Sequence, residues 1–399
     1  MTPESPAGIG SPITRQVVLV LDDDVLVTEG LSLGLEHPGR TVITCNDLES
    51  AQLAVHWFKL THVVADVRLT GPFGFEGLDF IHYVRQHSPE TRVILMTGDA
   101  SDALQMEASE RGAVAFLQKP FGGRKLEAVI NVMSPQLELT DAPPVHIRIP
   151  MLDEIIAGDL LYPVFQPIID LSKDWRPFGY EALARCRTDG PFQNPNVLFE
   201  YAARRRRVPD LELACIERAL KSAAPLPADA SLFLNIHPFV FSAGSRLHDM
   251  LAGQAGDLLP RIVLEVTEQA ALTDSPAVFH TIEQIRELGV RFAFDDFGDA
   301  YSHLTFIDRV RPSFLKISQK FGTRFESNPT KVKIVTNIMA IARDFDCDLI
   351  LEGIEDSSTA EAGASLGIRH GQGYLFRRPT EIAAFTNSSQ AGGPTPRSS

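Results

Sequence analysis

Two sets of side chains in this 399-residue sequence have the types and spacing for phosphate chemistry. The first lies near the N-terminus. The apolar run VVLVL leads into Asp22, Asp23 and Asp24, HVVAD ends in Asp66, and two later runs finish in Thr97 and Lys119. Carboxylates from two neighbouring strands make an oxygen-rich site suited to Mg²⁺, with a hydroxyl and an ammonium placed to hold an incoming phosphoryl group. The second set is spread over the C-terminal half. Glu181, Asn235, Glu265, Asp295, Asp296, Lys316, Glu352 and Gln372 each belong to the end of a β-like run. The ligand atoms they offer are oxygens, which favours Mg²⁺ or Mn²⁺ over zinc. Glu181, Asn235, Glu265 and Asp295 make one hard-cation site; Asp295, Asp296 and Glu352 make a second, with Asp295 bridging. Two ions held roughly 3.5–4 Å apart activate a water and stabilise both oxygens of an in-line phosphoryl displacement, which points to a phosphodiesterase. In that scheme Lys316 orients the water or offsets charge on the phosphate, and Glu352 is the first candidate for general base if one ion is bound.

Such residues meet only if the elements carrying them end at one rim. In Arg261–Leu304, Ile262, Leu264 and Val266 alternate with Val263, Glu265 and Thr267, and Phe292 and Phe294 lead into Asp295-Asp296. Between them Val278, Ile282, Ile285 and Leu288 recur at helical spacing, with Ser275 as a cap, Pro276 at the first position and Gly289 at the end. Asp295 and Asp296 would face opposite ways along a continuing strand. Both address one site only if the strand stops there, as the following Phe297-Gly298 suggests. Strand and helix patterns continue to alternate from Tyr162 to about Pro379, with polar groups at the strand ends, which predicts a (β/α) TIM-like barrel with its active face at that rim. The N-terminal runs VVLVL, TVITC, HVVAD, RVILMT and AVAFLQ alternate with helical stretches in the same way and predict a doubly wound parallel sheet.

The fold class is therefore α/β in two domains. The expected boundaries are a disordered lead-in over 1–15, a first domain over 16–133, a Pro-containing linker over 134–148, a barrel over 149–385 and a disordered tail over 386–399. The formal net charge of −14 argues against non-specific duplex binding, and no helix-turn-helix is recognisable. Cys45, Cys186, Cys215 and Cys347 are scattered without metal-site spacing and read as reduced thiols. With neither a leader nor a run long enough to span a bilayer, the expectation is a soluble, cytoplasmic protein. Most of Arg204–Arg207 should face solvent, His237, His303 and His370 should be surface or supporting residues near the rim, and Phe321 and Phe325 should pack as core.

The ordered N-terminal set resembles the receiver domain of bacterial response regulators, a flavodoxin-like fold. That resemblance implies phosphorylation of Asp66 by a cognate sensor histidine kinase, Asp22 and Asp23 as the acidic Mg²⁺ pair, and the Arg68 carbonyl as a further ligand. It also implies Thr97 and Lys119 as the phosphate-sensing residues, a cis Lys119-Pro120 peptide and Phe116 at the aromatic switch position. The loop from Leu69 to Gly77 is longer than the family's. The motifs EALAR at 181–185, LEVTE at 264–268, DDFG at 295–298, LKIS at 315–318, LEGIE at 351–355 and QGYLF at 372–376 together resemble the EAL family of cyclic di-GMP phosphodiesterases. This implies linearisation of cyclic di-GMP to pGpG, with Gln166 of FQPI, Arg185 and Gln372 contacting substrate. It also implies that Glu268 supports catalysis by anchoring the loop after DDFG, and that the chain forms a dimer or higher homo-oligomer. Ala300, His303 and Ser318 depart from the family pattern without removing a ligand. A response regulator gated through Asp66 is the leading expectation; the alternative is a non-hydrolysing cyclic di-GMP receptor that signals through a protein partner.

Overall fold

The computed structural model describes residues 16–69, 75–98, 101–133, 142–243, 245–267, 276–297 and 304–386. Contacts divide it into two units, one of residues 1–158 with 187–205 and one of 159–186 with 206–399. Each is described by itself.

In the first unit, six strands form a sheet in the order β5-β4-β3-β1-β2-β6, all pairs parallel. They are β1 (Gln16–Leu21), β2 (Arg40–Cys45), β3 (His62–Asp66), β4 (Arg92–Thr97), β5 (Ala115–Gln118) and β6 (Val145–Arg148). The central strands read as nearly continuous apolar runs because helices cover both faces. Order reverses at β1, whose neighbours are β2 and β3, so a crevice opens beyond the carboxyl ends of β1 and β3, where Asp22 and Asp66 stand. Asp24 is spent otherwise: its side chain accepts from Leu26 N at 2.8 Å and caps the helix Val25–Gly34. Gly77 opens the next helix so close to β3 that a Cβ there would lie 2.0 Å from the Asp66 carbonyl oxygen. Strand β6 falls inside the segment read as linker and pairs with β2. Its short VHIR run shows no clear alternation; the open edge of β2 supplies its partners.

The second unit holds a closed barrel in the order β10-β11-β12-β13-β14-β7-β8-β9. The strands are β7 (Leu161–Asp170), β8 (Arg176–Cys186), β9 (Ser231–Ile236), β10 (Ile262–Thr267), β11 (Arg291–Phe297), β12 (Phe314–Ile317), β13 (Asp348–Leu351) and β14 (His370–Gln372). Strand β7 runs antiparallel to both neighbours. The cause is local: no helix separates β7 from β8, and a turn with left-handed Asp174 and Trp175 sends the chain straight back. Ile168, Phe233, Val263, Ala293, Phe314 and Ile350 fill the barrel interior as one buried cluster. Two positions towards the rim from each, on the same face, come Gln166, Asn235, Glu265, Asp295, Lys316 and Glu352. The period of the strands thus stacks a polar layer directly on an apolar plug. Outward residues such as Leu232, Leu264, Phe292, Leu315 and Leu351 pack beneath the helices. The helix Pro276–Glu287 ends as expected at Gly289, at φ 90°; Ser275, its expected cap, lies outside the described residues.

Candidate active site

Lys316 organises the rim. On β12, 1% exposed, its Nζ lies 2.9 Å from Glu265 Oε1, 2.9 Å from Glu352 Oε1, 3.1 Å from Asp295 Oδ1 and 3.5 Å from Glu181 Oε2. Burial alone would lower the pKa of the ammonium; Asp295, Glu181, Glu265 and Glu352 hold it well above the usual lysine range. Burial and the neighbouring Glu181 push Glu265 well above the ordinary carboxylate range. Glu352 is pushed by burial to about 8, against the pull of Lys316. Burial also opposes ionisation of Glu181, yet Lys316, Gln372 and Asn235 keep its pKa below the ordinary value. Gln372 Nε2 donates to Glu181 Oε2 at 2.6 Å and to Gln166 Oε1 at 3.1 Å, while Asn235 Nδ2 donates to Glu181 Oε1 at 2.7 Å. Gln166 in turn donates to the Arg377 carbonyl at 3.2 Å.

Six of the expected barrel residues, Glu181, Asn235, Glu265, Asp295, Lys316 and Glu352, therefore converge, with Gln166 and Gln372 bound to the same cluster. Asp296 is placed differently. The ladder between β11 and β12 shifts register between Phe294 and Phe297, and Asp296 takes φ 54° and is exposed beside the set. The break falls at the acidic pair itself, not after it. Arg185, late on β8, donates to the Ala184 carbonyl at 2.8 Å. Glu268, Ala300 and His303 lie outside the described residues. Ser318 is buried and precedes the short helix Gln319–Gly322.

The donor set fits hard divalent ions. Both Glu265 oxygens and Asp295 Oδ1 are buried and meet no aligned hydrogen-bond donor, with the ammonium as their counter-charge. Such unsatisfied carboxylate oxygens favour a cation.

At the receiver-like rim, carboxylate oxygens of Asp22, Asp23 and Asp66 all lie within 4.8 Å of one another. Lys119 Nζ bridges Asp22 Oδ2 at 2.6 Å and Asp66 Oδ2 at 2.8 Å. Burial raises the Asp22 pKa despite Lys119, and it raises that of Asp23 too. Thr97 ends β4, buried, and the Lys119-Pro120 peptide is cis. Asn46 was not anticipated: its Nδ2 donates to the Asp22 carbonyl at 2.8 Å and to Thr28 Oγ1 at 3.1 Å, fixing the acidic strand end. Its signal was only a polar residue just past β2.

Comparison with known proteins gives the family. The EAL domain model matches residues 151–379, more than half of the chain. The chain belongs to the EAL domain family. Its N-terminal part, residues 18–131, matches the response regulator receiver domain. The uncharacterized protein Rv1354c of Mycobacterium tuberculosis is 29% identical over 287 residues, 69% of this chain and 45% of that protein. The probable cyclic di-GMP phosphodiesterase PdeA of Escherichia coli is 28% identical over 237 residues, 57% of this chain and 31% of that protein. This EAL chain thus spans less than half the length of either. The structure of EAL enzyme Bd1971 in its cAMP and cyclic-di-GMP bound form is similar at TM-score 0.54 and 26% identity, over 59% of this chain and 66% of that one.

One sequence expectation, the placement of His370, is corrected. Arg206 is exposed, and the half-exposed Arg204, Arg205 and Arg207 pair with Glu200 at 2.7 Å, Glu49 at 3.0 Å and Asp210 at 2.9 Å. His370 is not near the rim. It opens β14, fully buried, with its ring 4.1 Å from that of Phe178, and burial pushes it down to about 4. The TIM-like barrel closes as expected, with β7 running opposite to both its neighbours.

Proposed function

We propose that this chain is a response regulator whose barrel hydrolyses cyclic di-GMP to linear pGpG, with phosphorylation of Asp66 by a sensor histidine kinase gating turnover. The observation that carries the reading is the convergence of Glu181, Glu265, Asp295 and Glu352 on one buried ammonium, with Asn235 and Gln372 bound to the same set. Family membership and the phosphodiesterase name of a relative support the substrate. Glu181, Asn235, Glu265 and Asp295 would hold one Mg²⁺ or Mn²⁺, and Asp295, Asp296 and Glu352 a second. Bound there, the ions supply Lewis-acid activation of water and neutralise charge on the phosphodiester.

The protein's own groups do the rest. With only one ion bound, Glu352 is free to accept a proton from the attacking water, a task suited to a carboxyl whose pKa burial raises. Lys316 keeps a positive charge beside the phosphorane-like charge that develops, within a site already fixed by hydrogen bonds. Attack forms a P–O bond to the water oxygen and breaks the bond from phosphorus to the sugar 3′ oxygen, which leaves as a hydroxyl by taking up the proton that the water gave up. Gln166, Gln372 and Arg185 orient the dinucleotide, Arg185 through its planar fork. In the receiver, Asp22, Asp23 and Asp66 would hold Mg²⁺ for phosphoryl transfer, with Thr97 and Lys119 taking the phosphate. The protein acts in the cytoplasm as a dimer or larger homo-oligomer, without DNA or membrane as partner.

The test is an assay of the purified chain with Mg²⁺ or Mn²⁺ that follows both loss of cyclic di-GMP and appearance of pGpG. A folded protein that leaves substrate intact refutes the reading. Glu352→Ala should lower turnover by about 10² or more while nucleotide binding persists; unchanged turnover excludes Glu352 as base or ligand.

A further inference from the structure

The helix Val208–Ser222 packs into the outer apolar layer of the barrel through Leu213, Ile216, Ala219 and Leu220, and Val208 and Leu211 are buried as well. Positions four apart share a helical face, so residue 212, between Val208 and Ile216, should be apolar. It is a glutamate, 5% exposed. Glu212 Oε1 accepts from the backbone N–H of His237 at 2.7 Å, and Oε2 has no hydrogen-bond partner among the described residues. Burial, opposed only by that amide, pushes its carboxyl up to about 8, so at neutral pH it is chiefly an uncharged acid. Placing such a group in an apolar stripe costs stability, so its retention needs a compensating role.

The sheet shows what that role is. Pairing of β9 with β8 ends at Leu234 opposite Ala182, and pairing with β10 ends at Ile236 opposite Val266. His237 lies past both ladders, and the Glu212 carboxyl takes up its amide where strand partners have run out. Asn235, two residues earlier, gives Nδ2 to Glu181 at 2.7 Å.

We propose that Glu212 is a positioning residue for the divalent-cation site: by gripping the His237 amide from the outer layer it fixes the end of β9 and with it the Asn235 side chain. This rests on Asn235 being a metal ligand and not on turnover or on the identity of the substrate.

The test reads Mn²⁺ binding by electron paramagnetic resonance on the full chain, in an Asp23→Asn background so that the receiver site does not dominate uptake. Glu212→Leu should weaken Mn²⁺ binding about ten- to a hundredfold, as loss of a supporting partner does elsewhere. Glu212→Gln, whose amide oxygen still accepts from His237, should restore most of the affinity, and His237→Ala, which keeps the backbone N–H, should leave it unchanged. Added to Asn235→Ala, Glu212→Leu should weaken binding no further, because both act through one ligand. Peptide-resolved amide exchange should quicken at residues 235–239 and not in β10 or β12. If Glu212→Leu does not fold, Glu212→Asp, which shortens the reach, serves in its place. Wild-type-like Mn²⁺ affinity in the Leu variant, losses additive with Asn235→Ala, or faster exchange spread over the barrel overturns the proposal. Should the protein bind Mn²⁺ yet not hydrolyse cyclic di-GMP, the functional reading fails and this one stands.

Discussion

One buried ammonium facing four carboxylates sets the electrostatics of the barrel rim. Removing the counter-charge of a buried ionic cluster typically costs about 3–5 kcal/mol, because the surviving charges stay desolvated and repel one another. Lys316→Met should therefore lower the unfolding midpoint of the barrel in chelator, and Mg²⁺ should recover much of the loss by taking over the neutralising role. An EDTA melting temperature equal to that of wild type would count against this picture. A second residue-scale effect belongs to His62 on β3, which burial, helped by Arg92 and Arg40, pushes down to about 4 from its ordinary value of 6.5. The folded state keeps the ring neutral, while the unfolded chain binds a proton below about 6.5. Stability is then complete above that pH and declines as pH falls towards 4, by at most about 3 kcal/mol. Urea unfolding followed at pH 7.5 and 4.5 should show the decline, and His62→Val should flatten it. An equal slope in the variant would exclude His62 as the cause.

At the scale of elements, the helix Pro195–Arg204 clusters with the receiver sheet, although the EAL match covers its sequence. Tyr201 explains much of this. Fully buried and stacked on Phe192 with ring centroids 4.9 Å apart, it donates its hydroxyl to Asp47 and accepts from Leu152 N at 3.3 Å. The other oxygen of Asp47 caps the helix Leu48–Trp57 through Ser50 N at 2.7 Å. Tyr201→Phe keeps the ring but strands the Leu152 amide and an Asp47 oxygen, a loss of about 1–3 kcal/mol. Chemical denaturation of the first unit is the measurement, and an unshifted midpoint would show the hydroxyl to be dispensable. The apolar face of the helix Pro195–Arg204, at 197, 198, 201 and 202, has ordinary helical spacing, and any complementary apolar surface would satisfy the same pattern, so only packing selects the one it meets.

For the whole molecule, the two units carry separate oxygen-rich rims, each built by the same rule that parallel strands deliver their carboxyl ends to one side. No described helix is long and apolar enough to cross a membrane. The proposed gating through Asp66 is tested at the scale of the whole chain. A small-molecule phosphoryl donor should change the rate of cyclic di-GMP hydrolysis in the wild type and leave Asp66→Asn unaffected. Equal rates with and without donor would reject gating and leave two independent domains on one chain.

The sequence by itself determined which residues stand at strand ends, because alternation within a strand and the common direction of most strands leave little freedom once the apolar runs are found. Asp22, Asp66, Glu181, Asn235, Glu265 and Lys316 were legible for that reason. Closure and register decided the rest. Only the folded barrel brings four carboxylates onto Lys316, leaves Asp296 exposed beside them where the ladder slips, reverses β7, buries His370 in the plug and sets Glu212 against the end of β9. Each depends on which strand or helix lies alongside, and that is settled by packing among residues far apart in the chain, which no local pattern encodes.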